Sequence, residues 1–124
     1  MTWEDESPIV TLDLLELAHS GSPGRPVWSY GSDDLNVNLV VLRPEERVAE
    51  HTNTDVEVLV LGMDGDGTIE ADRRTLVVSP GRIAIIPTGC TRAIQAGAAG
   101  FAYLTCHRRR HALWPVTRFA SVRE

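Results

Sequence analysis

Short apolar segments recur along most of the chain and are separated by clusters of Gly, Pro, Asp and Ser. Several segments are rich in Val and Ile, and others alternate apolar with polar positions; both patterns are typical of β-strands. About eight strands at a spacing of roughly 8 to 12 residues predict an all-β sandwich or barrel. The predicted strands are residues 27–30, 35–42, 56–61, 68–70, 75–78, 83–86, 92–95 and 101–107.

Turn signals and one helical pattern complete this prediction. Residues 12–17 follow helical spacing after Thr11, which we expect to cap the helix, and the Gly-Ser-Pro-Gly stretch at 21–24 ends it. The predicted hairpin connections are 31–34, 64–67, 71–74 and 96–100. We therefore expect a short N-terminal helix or arm packed outside a sandwich or barrel of strands.

The length of the chain, 124 residues and 13.6 kDa, is that of one domain. We expect a core of strands at about 27–107, which becomes a barrel core in the family resemblance described below, an N-terminal arm at 1–26 and a C-terminal tail at 108–124. The longest uncharged apolar run, residues 58–63, is far shorter than the roughly 20 residues that cross a bilayer. The segment formed by the first seven residues is acidic overall, whereas a secretory leader begins with basic residues. We expect a cytoplasmic protein without a membrane partner.

All twelve basic residues are Arg, and the chain contains no Lys. This composition excludes Schiff-base chemistry, a Walker A phosphate loop and a Lys general base. Residues 1–72 hold sixteen acidic residues against three Arg, whereas residues 73–124 hold nine Arg and a single acid. We interpret this as strands from two oppositely charged halves lying side by side, and we expect no nucleic-acid partner. Cys90 and Cys106 are too few for a disulfide framework, so we expect reduced thiols.

Two of the predicted strands bring polar side chains onto one face, because successive side chains alternate in direction. Asn36 and Asn38 share a face of one strand, and Tyr103, Thr105 and His107 share a face of another. Such a face either lies in solvent or lines the interior, where its polar groups must form hydrogen bonds or bind something. The strand patterns alone leave both alternatives open.

Residues 50–62 resemble the first motif of the cupin superfamily, which reads Gly, five residues, His-x-His, three or four residues, Glu, six residues, Gly. His51 matches the first His, Asn53 replaces the second, and Glu57 matches the Glu. The flanking glycines are out of register. If the strand is regular, these three side chains face the same interior, because their positions have equal parity.

Residues 81–92 resemble the second cupin motif, which reads Gly, five residues, Pro-x-Gly, two residues, His, three residues, Asn. Arg92 replaces the His and Ala96 replaces the Asn, while the rest of the spacing is kept. The Pro-x-Gly turn is expected to point the Arg92 side chain toward the barrel axis. The matching positions are Gly81, Pro87 and Gly89. The resemblance implies a cupin-like double-stranded β-helix, or jelly-roll barrel, and we expect a homodimer because such barrels leave edge strands to be covered.

Members of this family commonly bind a divalent metal with the two His, the Glu and the third His of these motifs. The corresponding positions here are His51, Asn53, Glu57 and Arg92. An amide oxygen is a weak ligand and a guanidinium cannot be deprotonated, so we assign no metal ligand and no cofactor. Arg92 is instead expected to pair with Glu57 or to hold an anionic ligand. A site for Fe, Mn, Ni or Zn remains the alternative.

The resemblance and these replacements favour a protein that binds a small anionic organic molecule in the barrel. We predict catalytic roles for His51, Glu57 and Arg92 in metal-independent acid/base chemistry of the isomerase, epimerase, cyclase or dehydratase type. One alternative is a non-catalytic ligand-binding or sensor barrel, and another is a metal-dependent oxygenase or isomerase. The predicted ligand-binding residues are Asn36, Asn38, Asn53, Tyr103 and Thr105.

Overall fold

The computed structural model describes residues 9–109, in which one short helix precedes seven strands. The elements are α1 (Leu14–Ser20), β1 (Gly24–Gly31), β2 (Leu35–Leu42), β3 (Arg47–Thr52), β4 (Val58–Ala71), β5 (Arg74–Val78), β6 (Ile83–Ile86) and β7 (Thr91–Arg108). The structure does not describe residues 1–8 of the predicted N-terminal arm or residues 110–124 of the predicted C-terminal tail. No helix within residues 9–109 is long and apolar enough to cross a membrane.

All strand pairs are antiparallel, and the sheet order is β1-β2-β7-β4-β5. The two longest strands each serve two outer partners. The first part of β7 pairs with β3 and its second part pairs with β2, while β4 pairs first with β6 and then with β5. Because β4 and β7 also pair with each other along both parts, they join the two sides of an all-β jelly-roll barrel. The predicted fold class is confirmed.

Several predicted elements match the structure. The strands predicted at 35–42 and 83–86 are β2 and β6 with the same bounds. The connection predicted at 71–74 is the β4–β5 hairpin, whose two central residues, Asp72 and Arg73, have φ values of 52° and 63°. The helix begins two residues later than predicted, because Asp13 rather than Thr11 caps it and accepts a hydrogen bond from the Glu16 amide.

Two predicted hairpin turns were wrong. Residues 64–67 lie inside β4 and residues 96–100 lie inside β7, where the two strands pair across register shifts next to Gly65 and Gly67. Glycine is required there because the backbones approach closely: a Cβ on Gly67 would lie 2.6 Å from the Gln95 carbonyl oxygen. The glycines therefore mark β-bulges and a close contact between strands rather than the end of a strand.

Strand β3 was not among the strands predicted from the apolar pattern, and only the family motif placed extended chain at His51. Five of its six residues are exposed, so the segment lacks the alternation that identifies a half-buried strand. Its pairing with β7 places His51 directly opposite Arg92 in the ladder. Strand β1 begins at Gly24, three residues earlier than predicted, and thus includes the end of the segment that we assigned to an N-terminal arm.

The inner face of the barrel changes from polar to apolar along the β2–β7 ladder. At one end Asn36 lies opposite His107 and Asn38 lies opposite Thr105, while further along Val40 lies opposite Tyr103 and Leu42 opposite Phe101. The apolar end joins the main core, and its largest fully buried side chains include Phe101 and Leu42. The polar end of the β2–β7 ladder lies outside this apolar core.

Candidate ligand-binding site

A cavity of about 300 Å³ lies at the polar end of the inner face. Its walls come from four strands of the barrel, β1, β2, β3 and β7, together with Asn53 and the first residue of β4. No Asp or Glu is among the described residues that line it. The lining residues are Arg25, Pro26, Asn38, Val40, Val48, His51, Asn53, Val58, Arg92, Tyr103, Thr105 and His107. Within residues 9–109, two guanidinium groups and no carboxylate line the cavity, which gives it a positive character that Glu46, the partner of Arg25, partly offsets.

The two arginines reach the cavity from opposite parts of the chain. The Nε of Arg25 on β1 lies 3.6 Å from an Oε of Glu46, and both side chains are partly exposed. Arg92 on β7 is half-buried and interacts with other residues of the protein. Its Nη1 nitrogen is buried, and this atom has no hydrogen-bond acceptor within residues 9–109. Both guanidinium groups lower the pKa of the Tyr103 hydroxyl and the Glu46 carboxylate raises it, so two positive charges and one negative charge act at this part of the cavity.

Tyr103 contributes a buried hydroxyl to the cavity wall. The residue is only 3% exposed, and its ring stacks on Phe101 with 4.9 Å between the ring centroids. Burial raises the pKa of Tyr103 to about 12, although Arg25 and Arg92 oppose the shift. The hydroxyl therefore keeps its proton at physiological pH and can donate it in a hydrogen bond. In the described part of the chain it bonds to no other residue.

Asn53, which replaces the second His of the family motif, is oriented by its own turn. Its Oδ1 accepts hydrogen bonds from the backbone amides of Asp55 and Val56, at 3.1 and 3.2 Å. These two donors fix which end of the amide is the oxygen. Although the residue is only 4% exposed, its Nδ2 donates to no other residue of the described chain. Asn53 therefore offers donors, not an acceptor, to the cavity.

A hydrogen-bonded network lies along the neighbouring wall. Ser29 donates to Asn38 Oδ1 at 2.6 Å, and Asn38 Nδ2 donates to Asn36 Oδ1 at 3.1 Å. A longer contact of 3.4 Å joins Asn38 Nδ2 to the Thr105 hydroxyl oxygen. Because Thr105 accepts in this contact, its hydroxyl hydrogen remains available to a molecule in the cavity.

The structure brings together six of the eight predicted site residues. His51, Arg92 and four of the five predicted ligand-binding residues line the cavity, whereas Asn36 lies behind Asn38 in the network. Sequence reasoning missed Arg25, which it assigned to the arm. It also assigned no role to His107, although the alternation had placed His107 on the face of Thr105 and Tyr103.

Glu57 does not lie in the cavity. The prediction assumed a regular strand from 51 to 57, but β3 ends at Thr52, and the turn at Asn53 breaks the alternation of side chains. The exposed Glu57 lines an adjoining surface groove, which shares Val58 and His107 with the cavity. Glu57 and Arg92 do not line the same cavity, so the structure does not support the first of the two roles expected for Arg92, and the second, holding an anionic ligand, stays a prediction.

The four positions of the family's metal site do not fit a divalent cation here. Asn53 has its oxygen engaged by two backbone amides, Glu57 lies outside the cavity, and Arg92 brings a positive charge to its wall. A guanidinium near a divalent ion is repelled, and His51 alone is left as a suitable ligand. Within residues 9–109 no cluster of three His, Cys, Asp or Glu side chains could hold a metal.

Comparison with solved structures identifies the fold. A protein of Thermus thermophilus superposes with a TM-score of 0.69 at 19% sequence identity, and the match covers 82% of this chain and 98% of that one. A cupin superfamily protein of Desulfitobacterium hafniense DCB-2 matches with a TM-score of 0.58 at 23% identity, covering 64% and 71%. The chain therefore has the cupin fold.

A third structure of similar fold is described as a sugar phosphate isomerase from a cupin superfamily of Silicibacter pomeroyi DSS-3. It matches with a TM-score of 0.59 at 23% identity, covering 64% of this chain and 54% of that one. No protein-family model and no curated protein matches the chain in sequence. At these identities the likeness establishes the fold and leaves the activity to be argued from the site.

Proposed function

We propose that this protein binds a small anionic organic molecule in the barrel cavity. The observation that carries the proposal is the composition of the wall, which has two guanidinium groups and several hydrogen-bond donors but, among the described residues, no carboxylate. Carboxylates and phosphates are rich in acceptors, so a wall of donors is complementary to them. The volume is at the small end of the roughly 300 to 1,000 Å³ typical of ligand sites, which favours a small metabolite.

Each donor has a role in this proposal. Arg92 and Arg25 bind the anionic group, for which the planar guanidinium is well shaped. The Tyr103 hydroxyl and the Asn53 Nδ2 donate to its remaining oxygens, since neither donor is used by a described residue. Thr105 orients the rest of the molecule through its hydroxyl hydrogen.

The candidate reaction is metal-independent proton transfer on the bound molecule. It is favoured by the position of His51, an imidazole that lines the cavity directly opposite Arg92 in the β3–β7 ladder. An imidazole can move a proton, and a neighbouring guanidinium stabilises the oxyanion of an enolate. Isomerisation, epimerisation, cyclisation and dehydration all use such steps. In the non-catalytic alternative, a sensor barrel, the same side chains recognise the molecule without changing it.

Calorimetric titration tests the binding proposal. The probes are inorganic phosphate, a panel of sugar phosphates and a panel of small carboxylates, the sugar phosphates being included because a protein of similar fold is described as a sugar phosphate isomerase. We expect at least one probe to bind, and Arg92→Ala to weaken its binding by at least tenfold. The matched control is Arg47→Ala, because Arg47 pairs with Glu70 on the surface outside the cavity. If no anion binds, or if Arg92→Ala binds as well as the wild type, the proposal fails.

Proton NMR in D₂O distinguishes the proposed catalytic function from the alternative of a non-catalytic sensor barrel. An enzyme of the proposed type exchanges a carbon-bound hydrogen of its ligand with solvent or converts the ligand into an isomer, and His51→Gln abolishes this change. A ligand that binds tightly and keeps its spectrum unchanged favours the sensor barrel.

A further inference from the structure

His107 gives the cavity a hydrogen-bond acceptor at one end. The residue lies on β7, opposite Asn36 and two residues beyond Thr105, and it lines the cavity. Its Nδ1 lies 3.0 Å from the backbone oxygen of Arg108. A carbonyl oxygen can only accept, so Nδ1 must carry the hydrogen in this contact. In the neutral ring, Nε2 is therefore the acceptor, and the backbone selects this tautomer.

The Nε2 of His107 contrasts with the other polar atoms of the wall. Within the described chain Nε2 bonds to no other residue, whereas the Asn38 Oδ1 is engaged by Ser29 and the Asn53 Oδ1 by two backbone amides. Apart from the imidazole of His51 and the lone pairs of the two hydroxyl groups, the other polar groups of the wall are donors. A bound molecule that satisfies the whole wall must therefore supply many acceptors and, near His107, one donor.

The donors and this acceptor lie at different positions along one strand. Both guanidinium groups act on Tyr103, and His107 follows four residues later on the same face of β7. Four residues of β-strand span about 13 Å between Cα atoms. The cavity thus has a cationic end near Tyr103 and an acceptor end near His107, with Thr105 between them.

We propose that His107 Nε2 accepts a hydrogen bond from a hydroxyl group of the ligand, and that the ligand is a hydroxylated anion lying with its charge toward Arg25 and Arg92. This inference rests on the proposed function and deepens it, because it names the second chemical group of the ligand and the residue that recognises it. A plain alkyl anion leaves Nε2 without a donor, and that unmet bond is the basis of selectivity.

Two phosphates of equal carbon number, one a polyhydroxylated sugar and the other a plain alkyl chain, test this inference. Ribose 5-phosphate and pentyl phosphate share the anion and the five-carbon length. We expect the wild type to bind ribose 5-phosphate roughly tenfold more tightly in calorimetric titration, in line with one additional hydrogen bond. His107→Phe should remove this preference and leave the affinity for pentyl phosphate within about twofold of wild type. His19→Phe is the control, because His19 pairs with Asp64 on the exposed side of α1.

The outcomes distinguish this inference from the proposed function. If pentyl phosphate binds and His107→Phe still prefers ribose 5-phosphate, the inference fails while anion binding stands. If neither phosphate binds, the inference fails, and the proposed function fails as well only if no carboxylate binds either. Should His107→Phe not fold, a two-bond ¹H–¹⁵N spectrum of the wild type replaces it. A shift of the Nε2 resonance with ribose 5-phosphate but not with pentyl phosphate supports the inference, and equal spectra overturn it.

Discussion

His51 and Arg92 are directly opposite each other in the β3–β7 ladder, and both side chains line the same cavity. Residues in this relationship have Cβ atoms about 4.5 to 5.5 Å apart, so both side chains reach one small region of the cavity. In the proposed function, the ladder joins a group that moves protons to a group that holds negative charge. That proposal gives Arg92 a directional role, because its fork would lie beside the atom on which His51 acts.

Replacement of Arg92 by Lys tests whether anion affinity depends on the positive charge of the side chain or on the planar shape of the guanidinium. Arg92→Lys keeps a positive charge but loses the planar fork that binds a carboxylate or phosphate through two parallel hydrogen bonds. We expect affinity for the tightest anionic probe to fall by about tenfold, which corresponds to about 1.4 kcal/mol. Arg47→Lys, on the exposed face of β3, serves as the matched control in calorimetry. Equal affinities for Arg92→Lys and wild type would contradict the bidentate role.

Tyr103→Phe tests the buried hydroxyl through the pH dependence of stability. Burial raises the pKa of Tyr103 to about 12 in the folded protein, against an ordinary value of 10.0. Ionisation of the unfolded chain above pH 10 therefore favours unfolding, so stability is full below pH 10 and is lost as pH rises toward 12. A difference of two pKa units corresponds to roughly 2.7 kcal/mol.

The comparison uses urea unfolding of wild type and Tyr103→Phe across this range. Near pH 7 we expect the free energies of unfolding to agree within roughly 1 kcal/mol, because the hydroxyl bonds to no described residue. Above pH 10 the wild type should lose stability that the Phe variant keeps. Parallel curves up to pH 12 would show that Tyr103 ionises as easily folded as unfolded.

Gly65→Ala should strongly destabilise the barrel. Gly65 has a φ of +66°, and a Cβ there would collide with the backbone carbonyl of Gly100 on β7. Both the strained backbone and the steric clash act in the same direction, so we expect a loss of roughly 2 kcal/mol or more. Gly21→Ala is the control, since a Cβ at Gly21 meets no atom within 4 Å and φ is −134°. Similar melting temperatures for the two variants would contradict the close contact between the strands.

The same contact explains which parts of the fold could be read from the sequence. Strands such as β2 and β6 were predicted with correct bounds because their apolar pattern and flanking turns are local signals. The close approach of Gly65 to Gly100 depends on the tertiary structure. It could not be predicted, because in the sequence a glycine at a β-bulge looks the same as a glycine in a turn. The homodimer, the cytoplasmic location and the lack of a nucleic-acid partner stay predictions.

The site was predictable where one rigid turn fixed a side chain and was missed where an irregular segment intervened. Arg92 follows the Pro-x-Gly turn and lies in the cavity as expected. Glu57 was placed by counting alternate positions, and the count fails because the chain leaves β3 before it reaches Glu57. Arg25 lacked any sequence signal, since it enters the cavity only through the pairing of β1 with β2.

Asn53 allows folding and binding to be tested apart. In Asn53→Asp, a carboxylate oxygen still accepts from the amides of Asp55 and Val56, but the Nδ2 donors are gone and a negative charge faces the cavity. We expect the free energy of unfolding to change little, while affinity for anions falls by more than tenfold, since a charge-assisted donor is worth about 1.5 to 3 kcal/mol. Asn53→Ala removes both functions and should also cost about 1 to 2 kcal/mol of stability, because two backbone amides lose their acceptor.

Urea unfolding of the two Asn53 variants measures the stability of the turn. Calorimetric titration of the same variants with one anionic probe measures the contribution of the amide to binding. Stable folding with lost binding in Asn53→Asp is the expected result, because the turn and the cavity use opposite ends of one amide. If Asn53→Asp binds anions as well as wild type, the NH₂ group does not serve the ligand, and the replacement of the family's second His by Asn has only a structural role. If Asn53→Asp unfolds as readily as Asn53→Ala, the side-chain oxygen at position 53 does not stabilise the turn.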